Sequence, residues 1–377
     1  ITQNRTTKKM KRIILATMLT LILSQLSAQV TVPTAAGDLK LRFMGRTNFD
    51  AGFFPGLEGT DDNGVVMNDT RLGVQASFDE KWSAKIEICY QQKAVSFRDL
   101  WIGYDFSEKS SLKAGNFFMP FGSKILGLAY KFVEDAPLDY TFCPSRKMGL
   151  AYSYTSDPLN LTFGIFSDGD VDAKALNRGY NLSAKAVVRP ICDEESILHI
   201  GLAPLFTHSP NAVTIKSTMP VTFANPNVTL ISSGALDAIS QVRLEAELIY
   251  IMRRFLFETH YMMTSVNMPG EDNYTANGIF AQASFQLIGK QQKYNKKGGI
   301  TASSPAKTLE LLARVDYMNL DGGDFHPEGD GKETDITIGV NYFFNKYVNA
   351  KLNYVHAKVK DTEDSLNAMQ LRLQFSF

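Results

Sequence analysis

The sequence predicts an all-β fold: an antiparallel transmembrane β-barrel of about sixteen strands with a loop folded inward as a constriction. Three features predict it: strict alternation of apolar and polar residues, an amino-terminal secretory signal, and connections that alternate between short and long. The last strand shows the alternation most clearly, with Met369, Leu371, Leu373, Phe375 and Phe377 on one face and Gln370, Arg372, Gln374 and Ser376 on the other. One face of such a strand can meet hydrocarbon while the other meets a wet lumen.

The amino-terminal segment has the order of a secretory signal peptide. Two cations follow Met10, then the apolar run 13–23, then small residues that end at Ala28. We expect cleavage after Ala28, and the apolar run is too short to span a bilayer of about 30 Å as a helix. The predicted domains are therefore a presequence with signal peptide over 1–28 (signal proper 10–28) and a barrel domain over 29–377.

Charge and cysteine content exclude several classes of protein. The presequence holds five cations and no acids, so the mature chain has 34 basic and 39 acidic residues, a net charge of −5 rather than zero. A globally basic nucleic-acid binder is therefore not expected. Cys89, Cys143 and Cys192 lack metal-binding spacing, and the chain has no CxxC, HExxH or phosphate-cradling glycine loop. We expect neither a disulfide framework nor a cofactor.

The alternation recurs along the mature chain, with charge on one face only. In one segment, Leu309, Leu311, Ala313, Val315 and Tyr317 oppose Glu310, Arg314 and Asp316. The predicted strands, good to about two to four residues at each end, are 39–50, 69–79, 82–91, 96–106, 110–118, 146–155, 158–167, 179–190, 195–207, 239–250, 253–265, 276–289, 307–319, 333–344, 347–358 and 366–377. An even number of strands returns both ends of the barrel to the same side.

The connections support the same topology. Tight turns are predicted at 80–81, 156–157, 251–252 and 345–346, and longer segments at 51–68, 119–145, 208–238 and 320–332. Outer-membrane barrels have short periplasmic turns and long outer loops in this way. The segment 290–306 is too long for an ordinary turn. A soluble β-sandwich would share the alternation, but it would not combine a signal peptide with an aromatic terminal strand.

Several runs of the sequence resemble the phosphate-selective porin O and P family. They are 71–82, 97–104 and 113–122, the last reading KAGNFFMPFG, together with 311–317, 339–345, 352–355 and the last strand. The resemblance covers 40–377 in outline and is weakest over 190–300. It implies a sixteen-stranded trimeric channel of the bacterial outer membrane whose arginine and lysine side chains line an anion path. The implied partners are outer-membrane lipid, two further copies of the chain, and small hydrophilic solutes or inorganic anions such as phosphate.

Strand parity and the resemblance together select the candidate site residues. The predicted pore-lining, anion-binding cations are Lys40, Arg42, Arg46, Arg71, Lys85, Arg243, Arg314 and Arg372 on strands, with Lys124, Lys131 and Arg146 in or beside the segment 123–144. That segment is where a porin folds a loop inward; as an ordinary outer loop it would instead contact a neighbouring subunit. Acids share the inner face, so each cation could equally belong to a salt-bridged wall.

These features predict a channel for passive diffusion of small hydrophilic solutes, with anions such as phosphate as candidates. A structural or adhesive barrel with a plugged lumen is the first alternative. An outer-membrane hydrolase is the second, although no histidine stands beside a serine in a nucleophile motif, so no catalytic residue is assigned. A gated transporter is not expected, because a strand follows the signal peptide with no room for a plug domain. Asp168, Asp170 and Asp172 begin a calcium-loop pattern that lacks its later ligands, and are weak metal candidates.

Overall fold

The computed structural model describes residues 29–35, 37–55, 63–91, 94–126, 131–169, 171, 179–209, 211–219, 228–296, 299–301, 306–322, 331–360 and 365–377. The predicted signal peptide (1–28) lies outside these residues and stays a prediction. Two of the three calcium candidates, Asp170 and Asp172, also lie outside them. None of the described helices is long and apolar enough to cross a membrane.

Strands make up most of the described chain. In chain order they are β1 (Gln29–Thr34), β2 (Gly37–Phe53), β3 (Gly64–Phe78), β4 (Trp82–Gln91), β5 (Ala94–Asp105), β6 (Ser110–Phe118), β7 (Arg146–Thr155), β8 (Leu159–Ser167), β9 (Tyr180–Cys192), β10 (Ser196–His208), β11 (Val213–Met219), β12 (Val228–Leu236), β13 (Ser240–Met252), β14 (Phe255–Asn267), β15 (Tyr274–Ile288), β16 (Tyr294–Asn295), β17 (Ile300–Thr301), β18 (Thr308–Asn319), β19 (Lys332–Phe343), β20 (Val348–Val359) and β21 (Ser365–Ser376). Between β6 and β7 lie a 3₁₀ turn (Ser123–Leu126) and a short helix, α1 (Pro137–Phe142).

Sixteen strands close into a barrel. The main sheet has 17 strands, of which β1 pairs only with β2. The other sixteen pair antiparallel with their neighbours in the ring, and β2 closes it against β21 from Arg46↔Ser376 to Phe53↔Met369. The terminal residue adds to the closure, because Phe377 and Gly45 exchange backbone hydrogen bonds of 3.0 and 3.1 Å. The predicted barrel and its strand number are confirmed.

The wall is apolar outside and polar inside. On β21, Leu371 and Leu373 are 42% and 45% exposed, whereas Gln370 and Arg372 are 2% and 9% exposed. A soluble protein would bury the leucines and expose the arginine. The reversal fits a barrel that presents its apolar face to lipid and its polar face to the lumen.

Most strand limits agree with the prediction, and β4, β6 and β7 span the predicted residues. One predicted turn is wrong: residues 251–252 belong to β13, and the turn lies at 253–254. The ladder continues to Met252↔Phe255, so the turn has only two residues, and Arg253 has the positive φ of +51° that such hairpin turns use. The hairpin β11–β12 and the short pair β16–β17 were not predicted.

The segment 119–145 folds into the barrel, as the prediction of a constriction loop requires. We call it the inserted loop. Phe121 and Leu138 of this loop are 2% and 0% exposed, and they join an apolar cluster with Ile231 of the hairpin β11–β12 and Met262 of the wall. One side of the lumen is therefore filled by the inserted loop and the hairpin.

Candidate functional site

The inserted loop is attached to the wall formed by β18–β21. Lys131 pairs with the buried Glu310 of β18, and its backbone carbonyl accepts a hydrogen bond of 2.7 Å from the Asn341 side chain. The next carbonyl, of Phe132, accepts from Lys351 Nζ at 3.1 Å. These bonds satisfy loop backbone groups that would otherwise be buried without partners.

Two arginines extend the same attachment. Arg372 donates to both carboxylate oxygens of Asp50, at 2.7 Å each. It also donates to the Val133 carbonyl. Arg314 is 2.8 Å from Asp316 and stacks over the Phe132 ring, with Cζ 4.6 Å from the ring centroid. Lys131 was expected to face the path from the segment 123–144, whereas parity placed Arg314 and Arg372 on the inner face, and both arginines lie there. Their contacts are with the inserted loop, so they position it.

The adjoining wall, β2–β5, carries a row of cations paired with few acids. Arg46 and Arg71 both pair with Asp69. Lys85 lies 2.7 Å from Glu87 and 2.7 Å from Asp99. These side chains are only 10% to 20% exposed, so they form a continuous polar layer on the inner face of β2–β5.

Arg146, at the start of β7, continues this row. Its Nε lies 2.7 Å from Asp99, and its guanidinium stacks on Phe118, with Cζ 3.9 Å from the ring centroid. A guanidinium held on an aromatic face keeps its edge free for planar acceptors.

Two β-bulges bring extra charges into this wall. Between Arg46↔Arg71 and Asn48↔Asn68 the register of β3 gains one residue, and Asp69 at that point has φ +52°. The bulge turns the Asp69 carboxylate towards both arginines. Bulges often re-aim a side chain beside a functional site in this way.

The second bulge lies on β5. Between Ile86↔Leu100 and Ile88↔Phe97 the register gains one residue, so Arg98 and Asp99 both reach the inner face. Arg98 donates to Gln91 at 2.7 Å. Sequence reasoning missed Arg98, because strict alternation through this strand assigns only one of the two neighbours to the lumen; a pair of adjacent charges inside an alternating segment is the signal that could have found it.

Lys113 of β6 was also missed. Its Nζ lies 4.7 Å from the centroid of Trp101 and 5.2 Å from that of Phe117. Within the described part of the chain, no carboxylate pairs with Lys113 or with Arg98. Among the described residues, these two lumen cations thus have no carboxylate within salt-bridge distance.

We call these side chains the basic wall. It comprises six cations and the three carboxylates that pair with four of them: Arg46, Arg71, Lys85, Arg98, Lys113 and Arg146, with Asp69, Glu87 and Asp99. If each group carries its usual charge, the excess is three positive charges. The basic wall and the inserted loop line a common cavity, because Arg98 and Arg146 share it with Lys124 and Tyr140.

Two cavities follow the basic wall along β6. One, of about 310 Å³, is lined by Arg98, Lys124 and Arg146 with a single acid, Asp139. The other, of about 280 Å³, lies towards the turn end of the barrel; its charged lining residues are Lys109, Lys113 and Lys185 with Asp105 and Glu108, an excess of one cation. Space and positive charge therefore coincide on this side of the inserted loop.

The remaining predicted cations have separate surroundings. Lys40 and Arg42 are exposed on the turn end of β2, and Arg42 donates to Gln75 at 3.3 Å. Arg243 donates to Gln241. Lys124, in the inserted loop, is 3.4 Å from Asp135 and 4.0 Å from the Tyr140 ring centroid. Burial alone would lower the pKa of Lys124, but the Asp135 and Asp139 carboxylates outweigh it and raise that pKa, so Lys124 stays charged at neutral pH.

A second polar cluster holds groups that could ligate a metal: Glu245, Glu247 and His260. All three are hydrogen-bonded to protein. His260 lies 2.8 Å from both Glu245 and Glu258, Glu247 is 2.7 Å from Lys185, and Glu245 accepts from the Gly122 backbone at 2.7 Å. The cluster therefore attaches the start of the inserted loop to β13.

The described calcium candidate, Asp168, is also hydrogen-bonded to protein. One carboxylate oxygen accepts from the Ser209 hydroxyl at 2.7 Å, and the other lies 3.3 Å from Lys147 Nζ. These contacts tie the loop after β8 to neighbouring segments. Metal binding by Asp168 stays untested.

The sequence pattern of the family described as phosphate-selective porin O and P matches residues 42–377. No curated protein matches the chain by sequence.

Among solved structures, the chain is similar to the trimer form of in-vitro folded OmpT, an outer membrane protein of Vibrio cholerae (TM-score 0.63, 14% identity, covering 90% of this chain and 99% of that one). It is similar to the anion-selective porin from Comamonas acidovorans (TM-score 0.57, 12% identity, 90% and 100% coverage). It is also similar to the outer membrane channel DcaP of Acinetobacter baumannii (TM-score 0.59, 11% identity, 92% and 99% coverage). At these identities the likeness shows the fold.

Proposed function

The chain belongs to the phosphate-selective porin O and P family, which makes it a channel of the bacterial outer membrane, and we propose that it passes small hydrophilic anions along the basic wall. Family membership favours a channel over the hydrolase alternative. The observation that carries the anion preference is the excess of cations over carboxylates beside the two cavities.

The physical reason is electrostatic. A narrow, low-dielectric passage lined by one sign of charge raises the local concentration of the opposite ion. Arg98 and Lys113 contribute most, because neither pairs with a carboxylate of the described residues. The paired cations contribute less, since their acids cancel much of their field at a distance.

Phosphate is the leading anion. The basic wall is rich in arginine, and a guanidinium can donate two parallel hydrogen bonds to a phosphate. Arg98 and Arg146 line the same cavity, so one phosphate there could contact both. The family description and the fold neighbour titled an anion-selective porin support the same choice.

The functional unit is proposed to be a homotrimer in the lipid of the outer membrane. The similar OmpT structure is titled a trimer form, and the exposed apolar outer face can be covered by lipid or by other copies of the chain. Chemical crosslinking of the purified protein should give a product of three chains. If only the single chain is recovered after crosslinking, the trimer is contradicted.

Neutralising Arg98 tests the path. Arg98→Gln should lower the chloride-to-potassium permeability ratio about twofold or more, because a unit charge some 10 Å from the ion in water contributes about 0.4 kcal/mol. Arg253→Gln is the matched control: it removes the same charge from an exposed turn where Arg253 pairs with Glu195. Reversal potentials in planar bilayers give both ratios. Equal changes in the two variants, or none in Arg98→Gln, would remove Arg98 from the path.

A plugged barrel remains the second candidate, because the inserted loop and the hairpin β11–β12 form an apolar cluster inside the lumen. Such a barrel would have a structural or adhesive role, in which its outer loops bind partners. It predicts that the purified protein inserts into bilayers without any stepwise conductance.

A further inference from the structure

The turn end of the barrel carries its exposed charges in two separate groups. The turn-end connections β13–β14, β15–β18 and β19–β20 hold cations and, among the described residues, no acidic side chain. We call these exposed cations the basic rim: Arg253, Arg254, Lys290, Lys293, Lys296, Lys307 and Lys346. The turn-end connections β3–β4, β5–β6, β7–β8 and β9–β10 instead hold seven exposed acids and two lysines: Asp79, Glu80, Glu108, Asp157, Asp193, Glu194 and Glu195, with Lys81 and Lys109.

The cations of the basic rim lie on neighbouring connections, because β14, β15, β18, β19 and β20 are consecutive in the ring. Backbone hydrogen bonds join these connections: Gln292 N donates to the Arg253 carbonyl at 2.8 Å, and Lys307 N donates to the Phe343 carbonyl at 2.6 Å. Within the described part of the chain, Arg253 is the one rim cation at salt-bridge distance from a carboxylate, that of Glu195. The basic rim is therefore one surface with a large excess of positive charge.

The basic rim also borders the apolar outer face of the barrel. Leu287, Ile288 and Phe344 lie at this end and are 47%, 56% and 48% exposed. Arg254 donates to the Leu287 carbonyl at 3.4 Å, and Lys346 Nζ lies 4.6 Å from the centroid of the Tyr347 ring. Lysine and arginine side chains at the edge of a lipid-facing apolar band stand at the level of the lipid headgroups.

We propose that the basic rim binds the phosphate groups of anionic phospholipids such as phosphatidylglycerol. The short turns of an outer-membrane barrel face the periplasm, so the phospholipids of the leaflet on that side adjoin the rim. Clusters of lysine and arginine at a membrane surface attract anionic headgroups. The acyl chains of a bound lipid would lie along Leu287, Ile288 and Phe344 while its phosphate contacts the rim, so one molecule covers both surfaces.

Other occupants fit the basic rim less well. A second copy of the chain would bring its acidic connections, but these lie on the other half of the ring. Complementary surfaces on opposite sides of one barrel join copies into an open row rather than a closed trimer. An acidic protein would contact the cations and leave the adjoining apolar side chains unmatched, whereas a phospholipid matches both.

Native mass spectrometry tests the proposal by counting bound lipids. The purified full chain in a neutral detergent is mixed with equal amounts of phosphatidylglycerol and phosphatidylcholine. Each cation near an anionic headgroup contributes about fivefold, so two or more should give a bound ratio above about tenfold in favour of phosphatidylglycerol. Lys290→Gln/Lys346→Gln should lower that ratio at least about fivefold. The matched control, Lys81→Gln/Lys109→Gln, removes the same charge from the acidic connections and should leave the ratio unchanged.

Equal binding of the two lipids by the unaltered protein would overturn the proposal and leave the basic rim to water or to an acidic protein. An unchanged preference in Lys290→Gln/Lys346→Gln would also overturn it, by placing the lipid elsewhere on the barrel. Equal falls in the two double variants would show a response to net charge alone and refute a site at the rim. The outcome is independent of the anion path, because the basic rim shares no residue with the basic wall.

Discussion

Arg372 of the last strand donates to both carboxylate oxygens of Asp50 in the first barrel strand, at 2.7 Å each. The pair bridges the seam at which β2 and β21 close the barrel. The same arginine reaches the Val133 carbonyl of the inserted loop. One side chain thus couples closure of the wall to the position of the loop.

Loss of Arg372 should destabilise the barrel. Arg372→Gln leaves Asp50 buried without its counterion, and breaking such a pair typically costs about 3–5 kcal/mol. The temperature at which the folded electrophoretic band converts to the unfolded band should fall. The double variant Asp50→Asn/Arg372→Gln should recover part of that loss, because no charge is left unpaired. A double variant less stable than Arg372→Gln would show that the pair does not account for the effect.

A side chain at Gly115 should prevent the close approach of β5 and β6. Gly115 has φ +135°, and an added Cβ would lie 2.6 Å from Trp101 Cα and would also overlap the Leu100 carbonyl. We expect Gly115→Ala to refold poorly, at a cost of at least about 1–3 kcal/mol from the backbone alone. Gly64→Ala is the matched control, because a Cβ there meets nothing within 4 Å. Equal refolding yields would contradict the described β5–β6 contact.

Displacing the hairpin β11–β12 should widen the lumen. Ile231 is 1% exposed in the apolar cluster, and Ile231→Asp would bury a charge there without a partner. The single-channel conductance should rise, and the anion preference should fall because the opened side carries Glu333 and Asp335. Thr214→Asp, at an exposed position of the same hairpin, should leave both unchanged. An unaltered conductance in Ile231→Asp would show that the hairpin does not restrict the passage.

The sequence predicted the fold well because the signal is local. Each strand shows the alternation with a period of two in its own residues, and this pattern located all sixteen barrel strands. It also placed Arg46, Lys85 and Arg372 on the inner face. Parity fails where a single extra residue interrupts a ladder, as at Asp69 and at Arg98.

The site was less accessible to sequence reasoning, because its chemistry depends on partners distant in the chain. Arg372 and Asp50 are separated by 322 residues, and Lys131 and Glu310 by 179. Which lumen cations are paired, and which side of the lumen the inserted loop fills, follow from those contacts. These contacts between distant segments cannot be predicted from the residue pattern within one strand. The hairpin β11–β12 was not predicted either: its Ile215 and Ile231 are buried in the apolar cluster with the inserted loop, a contact between segments distant in the chain.

The reversal potential of the purified protein in a planar bilayer under a potassium chloride gradient, repeated with added phosphate, tests the central claim most directly. An anion channel along the basic wall predicts stepwise conductance, a reversal potential of the sign set by chloride, and block by phosphate. A reversal potential of the sign set by potassium would contradict the anion preference, and the absence of any conductance would contradict the channel itself.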